Sequence, residues 1–145
     1  MHKYLIVLFL FFISKFSFSQ TEISWTDLED VEFSDVYIEE IDEYVLYPHF
    51  GFDVIELGGQ EITLSGYVLA IDPDKGFYVL SKSPFASCFF CGAGGPETIV
   101  ELSLKSDKDS FFMDEFATIR GTLKLNADDI YRCVYILEDA EVHKR

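Results

Sequence analysis

Two glycines set in the middle of strand-like runs constrain this chain more than any other feature. Glu61–Ala70 alternates, with Ile62, Leu64, Gly66, Val68 and Ala70 on one face and Thr63, Ser65 and Tyr67 on the other. Phe116–Leu125 repeats the pattern, with Ala117, Ile119, Gly121, Leu123 and Leu125 set against Thr118, Arg120, Thr122 and Lys124. A mid-strand glycine gives up side-chain packing. It belongs where a sheet bends, bulges or meets another backbone closely. Gly76–Ser81, Thr98–Lys105 and Tyr131–Val142 supply three more strand-like runs. Asp72-Pro73-Asp74-Lys75-Gly76 between the first two has the residues of a tight turn, so those two form a hairpin. A closed sheet of so few strands coils hard, and positions without a side chain relieve the crowding.

The expected fold is therefore all-β: a five-stranded barrel of the oligonucleotide/oligosaccharide-binding (OB) type over residues 61–142. An open antiparallel sandwich is the rival that periodicity alone does not exclude. Residues 20–60 form an acidic and aromatic extension, expected to be mixed helical and extended and to pack on the barrel. Ser24 or Thr26 can cap a short helical turn, and Trp25 can pin the extension by packing. Phe33–Ile38 suits an extended segment. Pro48 is expected to end the element before it, with His49-Phe50-Gly51 as a turn. Ser106–Glu115 reads as a polar link with an apolar knot at Phe111-Phe112-Met113, a short helix or plug.

The first residues point to a compartment. Met1–Lys3 is positive, Tyr4–Ile13 is an unbroken apolar run, and Ser17 and Ser19 put small residues before Gln20. That is the layout of a secretory signal peptide over residues 1–19. The run is too short for a membrane span, which needs about 20 apolar residues. No later segment is long and apolar enough to span. The expected location is the periplasm or the exterior. The chain carries 26 acidic residues against 11 basic ones, a net charge of -15. A surface of that sign repels nucleic acid and anionic lipid and attracts cations or a basic partner. A nucleic-acid role for the barrel is excluded on this ground. An envelope protein is the expected kind of partner.

The chemistry-bearing stretch is Ser87–Glu97, SCFFCGAGGPE. Cys88 and Cys91 at this spacing can chelate one soft ion, Zn²⁺ or Cu⁺. They can instead form a disulfide, or be buried thiols. Cys133 is the third cysteine of the chain, so one thiol is left over in any internal bridge. His49 and Glu97 are the candidates for a fourth ligand. A thioredoxin-type redox role needs a helix N-terminus after the first cysteine; the glycine-rich run after Cys91 does not supply one. Phe85, Phe89, Phe90, Tyr78 and Tyr131 suit an aromatic surface for a sugar or peptide, or serve as core and loop anchors. No nucleophile–base grouping stands out, so a non-enzymatic function is expected.

Trp25-Thr26-Asp27-Leu28, Gly66-Tyr67-Val68, the Ser87–Glu97 loop, Gly121-Thr122-Leu123 and Asn126-Ala127-Asp128-Asp129 together resemble a family of small secreted proteins from Bacteroidetes-type bacteria. That family is functionally uncharacterised. A more distant resemblance is to secreted proteobacterial domains of unknown function, some encoded beside metal-responsive transport systems. Those also open on a Trp-x-x-Leu segment and carry a Gly-Tyr-Val strand; the cysteine pair lies outside that likeness. The resemblance implies the compartment and the OB-like barrel. In such barrels the third and fifth strands are parallel neighbours, which implies that Cys133 lies near the loop of Cys88 and Cys91. The resulting expectation is an envelope accessory domain that binds metal or is locked by a disulfide. The alternatives are an interaction module without metal and a thiol–disulfide redox protein.

Overall fold

The computed structural model describes residues 21–145, so the expected signal peptide lies outside the described residues. The described residues run β1 (Thr21–Glu22), a 3-10 turn (Trp25–Leu28), β2 (Val31–Ile38), β3 (Glu43–Phe50), an α-helix α1 (Phe52–Leu57) and β4 (Glu61–Asp72). They continue through β5 (Phe77–Ser81), β6 (Ile99–Leu104), β7 (Glu115–Leu125) and β8 (Tyr135–Lys144).

Strands β4 to β8 close into the expected barrel. β4 pairs antiparallel with β5, and β5 with β6. β6 then runs parallel to β8, with Glu101 opposite Ile136 and Leu102 opposite Leu137. β8 pairs antiparallel with β7, and β7 returns to β4 to complete the cylinder. The parallel contact between the third and fifth barrel strands is the OB arrangement, and the closed sheet removes the sandwich alternative.

The alternating faces fill the interior. Ile62, Leu64, Val68, Leu80, Val100, Ile119, Leu123 and Leu137 are buried in one cluster. Each such side chain contributes about 1.5–3 kcal/mol on leaving water. Both mid-strand glycines mark close backbone approaches. A Cβ on Gly66 would lie 2.5 Å from the Ser81 carbonyl oxygen; one on Gly121 would lie 2.7 Å from that of Glu138. The Asp72–Gly76 turn forms as expected, with Gly76 left-handed at φ 70°. Of the knot at 111–113, only Phe111 plugs the core, its ring 5.3 Å from that of Tyr78; Phe112 and Met113 are exposed and the segment is not helical.

The N-terminal extension joins the same core. Leu28 and Val54 are fully buried in it, and Trp25 packs against it. The Trp25 indole N–H donates to the Ser65 carbonyl at 2.8 Å, which is the pinning role expected of it. The buried Tyr135 hydroxyl donates to the Leu28 carbonyl at 2.8 Å. Burial pushes that phenol above its ordinary pKa. The Asp30 carboxylate accepts from the Asp53 backbone N–H at 3.0 Å and so covers one of the open donors at the start of α1.

Two local expectations are corrected, and one element is added. Pro48 does not end its element: it lies inside β3, paired with Phe33 of β2, and His49 and Phe50 continue the strand. The hairpin β2–β3 is a separate two-stranded sheet. Each of its strands has a free edge, and an edge strand tolerates a proline that donates no hydrogen bond. The fifth barrel strand starts at Tyr135, four residues later than expected. Asn126 holds residues 126–134 as a loop, its side-chain N–H groups reaching the Asp129 and Cys133 carbonyls at 2.8 and 3.1 Å. Residues 52–57, just past Gly51, form α1, which the polar–apolar pattern does not announce.

Candidate binding cleft and cysteine loop

The cysteine loop is a lid on the outside of the barrel. Leu69, Val79 and Ile99 point away from the interior, yet they are as buried as core residues. They form a second cluster with Cys88, against which Phe89 and Cys133 pack. The loop follows this surface as three short 3-10 turns, Phe85–Ser87, Phe89–Cys91 and Pro96–Thr98. Gly92 ends the middle turn at φ 76°, a left-handed position that favours glycine. The Asp114 carboxylate accepts from the Phe85 backbone N–H at 2.7 Å and ties the lid to the chain before β7.

All three cysteines are free thiols. The Cys88 and Cys91 thiols donate to one acceptor, the Phe85 carbonyl oxygen, at 3.1 and 3.0 Å. Cys88 is 2% exposed, whereas Cys91 is open to solvent. Cys133 lies in the loop before β8 and packs on the cluster that holds Cys88. Burial pushes its thiol up to about 12, the Glu101 carboxylate adding to the effect and Arg132 opposing it. His49 bonds through Nε2 to the Ser34 hydroxyl at 2.8 Å on the β2–β3 hairpin. Glu97 lies in the last 3-10 turn of the lid. Among the described residues, no three of His, Cys, Asp and Glu are grouped as ligands for a metal ion. The sulfurs of Cys88 and Cys91 are brought together; the five-residue set of Cys88, Cys91, Cys133, His49 and Glu97 is not. Thiolate, not thiol, reacts with alkylating agents. In native protein at neutral pH, iodoacetamide should therefore label Cys91 at least about tenfold faster than Cys133, read by mass spectrometry of the digested chain.

Beside the lid lies an apolar cleft of about 470 Å³. One wall is Val45–Pro48 of β3, another is Phe89, Phe90 and Pro96 of the lid, and the third is the 126–134 loop with Ile130 and Tyr131. Phe77 and Ile99 form part of its lining, and Cys133 lies at its edge. Tyr131 is 83% exposed and Phe90 44%. Two of the polar side chains at the cleft, Asn126 and Arg132, are engaged within the chain. Asn126 is fully used within its own loop. Arg132 donates to Glu101 Oε1 from Nε at 2.9 Å and from Nη2 at 2.5 Å. Glu101 Oε2 accepts from the Cys133 backbone N–H at 3.2 Å. A larger depression of about 610 Å³ lies beyond Arg132, but Asp74, Lys75, Glu101, Asp107 and Asp109 give it a charged lining.

Of the aromatic residues singled out in the sequence, Phe89, Phe90 and Tyr131 meet at the cleft. Tyr78 is in the barrel core and Phe85 is outside the cleft. The wall from β3 is not visible in the sequence, because Pro48 reads there as a stop. Nor is the Glu101–Arg132 pair, because Glu101, on an outward strand position, looks like a solvated charge. Its one sequence signal is Arg132, a rare basic residue immediately before a cysteine.

The barrel, its plugged interior and the covered outer face define an OB-like domain. No protein-family model matches the chain, and no curated protein matches it. It is similar in fold to the crystal structure of a DUF3299 family protein from Pseudomonas aeruginosa PAO1, with a TM-score of 0.53 and 14% identity over 88% of this chain and 98% of that one.

Proposed function

We propose that this chain is a secreted, non-catalytic accessory domain of the cell envelope that binds a partner protein in the apolar cleft. The partner contributes a segment with an aromatic or aliphatic side chain flanked by Lys or Arg. The observation that carries this is the cleft lining: exposed aromatic and aliphatic side chains, with the neighbouring Asn126 and Arg132 spent on partners within the chain. A sugar needs many donors and acceptors around it, whereas this lining is mostly apolar, with the Tyr47 and Tyr131 hydroxyls and Asp129 among its few polar groups; an apolar side chain needs only the aromatic walls. The net charge of -15 favours a cationic flank.

Panning a random displayed-peptide library on the protein tests this. Selected peptides should combine an aromatic residue with Lys or Arg. Tyr131→Ala and Phe90→Ala should each weaken them at least about tenfold by calorimetry, equivalent to about 1.4 kcal/mol. Both side chains are exposed, so the melting temperature should hardly move. Selected peptides that bind both variants like the wild type, or that are acidic, would place recognition elsewhere.

A second proposal is a Zn²⁺ or Cu⁺ ion on Cys88 and Cys91, with water or an external ligand completing its coordination, since Cys133, His49 and Glu97 are not grouped with the pair. It is favoured by the two soft sulfurs turned to one point. Elemental analysis of protein purified without added metal decides it. One ion per chain, lost in both C88S and C91S, supports it; metal-free protein unaffected by chelation sinks it.

A further inference from the structure

The two thiols of the lid are held in a geometry that a covalent bridge can use. The Cys91 backbone N–H donates to the Cys88 carbonyl at 3.1 Å, closing a four-residue turn. A turn of that kind brings its first and last Cα atoms to within about 7 Å, close to the span of a disulfide. Both thiols reach the same carbonyl oxygen, so their side chains leave the turn on one side. The two residues enclosed by the turn are Phe89 and Phe90, and both line the cleft. Any change of bonding between positions 88 and 91 therefore acts on the cleft wall directly.

We propose that Cys88 and Cys91 form a reversible dithiol–disulfide pair whose state sets the cleft wall made by Phe89 and Phe90. The reaction partner is a disulfide-bearing molecule. Cys91, the exposed member, attacks as thiolate on one sulfur of that disulfide, forming a mixed disulfide and releasing one thiolate. Cys88, after losing its proton, attacks the Cys91 sulfur, forming the internal bridge and releasing the second thiolate. The chain loses two protons and two electrons, and the oxidant leaves as two thiols. In the dithiol state the Phe85 carbonyl accepts from both thiols. The Cys88 backbone N–H, 3.4 Å from that oxygen in the dithiol state, is the donor left to it once both thiol protons are gone. The bridge replaces two weak S–H donors with a covalent closure, and so fixes the two phenylalanines in place before a ligand arrives. Pre-organised side chains lose less freedom on binding, so the bridged form should hold an apolar ligand more tightly. This last step rests on the cleft being the binding site.

The test incubates the full-length chain with oxidised glutathione, then quenches, alkylates and maps the peptides by mass spectrometry. The expected product has Cys88 and Cys91 bridged and Cys133 still a thiol, reverting with dithiothreitol. Ring signals of Phe89 and Phe90 in NMR spectra should differ between the two states, and the panned peptide should bind the bridged form roughly fivefold or more tightly. The C91S variant should form no bridge. A bridge that includes Cys133, a mixed disulfide that persists at Cys91, or a Cys88–Cys91 bridge that leaves both ring signals unchanged would overturn the inference. Shifted ring signals with no peptide bound by either state would leave the pair standing and overturn the cleft as the binding site.

Discussion

Gly66→Ala should destabilise the protein by about 1–3 kcal/mol, and Gly66→Val should prevent folding. In most strands alanine for glycine is neutral or helpful, because it reduces the freedom of the unfolded chain. Here the added Cβ would lie 2.5 Å from the Ser81 carbonyl oxygen, 3.0 Å from Trp25 Cζ2 and 3.2 Å from Leu80 Cγ. The first of these is backbone in the paired strand β5 and cannot swing aside. The second belongs to the ring that fastens the N-terminal extension to β4. The substitution therefore strains the barrel and lifts the extension together. Chemical denaturation checks it: the midpoint should fall, and Trp25 fluorescence should report the same transition. An alanine variant as stable as the wild type would mean that β4 and β5 are not packed as closely as described.

Glu101→Ala should cost about 2–3 kcal/mol, below the roughly 3–5 kcal/mol for breaking a fully buried ion pair, because Arg132 can turn to water once released. Glu101 is 8% exposed, while the Arg132 side chain is 34% exposed. The loss has a second part. Glu101 also accepts from the Cys133 backbone N–H, so the 126–134 loop loses its tie to β6. Cys133 should then react with iodoacetamide faster than in the wild type, a local signature separate from the fall in thermal stability. Glu101→Gln keeps the packing and one acceptor oxygen, and should fall between the two. Unchanged Cys133 labelling in Glu101→Ala would show that Asn126 alone holds that loop.

The barrel was legible because its information is local and periodic. Alternation placed Ile62, Leu64, Val68, Ile119 and Leu123 on the correct faces, and the glycines at 66 and 121 marked true points of contact. The hairpin β2–β3 was not, because proline rules describe a residue's own backbone and say nothing of whether its missing donor faces a partner or water. Pro48 sits at just such a place. Legibility of the site followed the same division. The Cys88–Cys91 spacing and the aromatic residues around it are visible in one line of sequence. The cleft is not, since its walls come from β3, the lid and the loop before β8, which only the closed barrel brings together. The outward row of Leu69, Val79 and Ile99 hints at such a cover, because three apolar residues on a solvent-side face need something to lie on them.

The position of β8 has a consequence for how the molecule comes into being. It is the last strand along the chain, yet in the sheet it lies between β6 and β7. Until it arrives, two inner strands have open edges and the cylinder cannot shut. Pairings so distant in sequence make closure slow, on the millisecond-to-second scale typical of such topologies. The half-made sheet is exposed to self-association in that interval. The third wall of the cleft leads directly into β8, so the cleft is complete only when the barrel is closed.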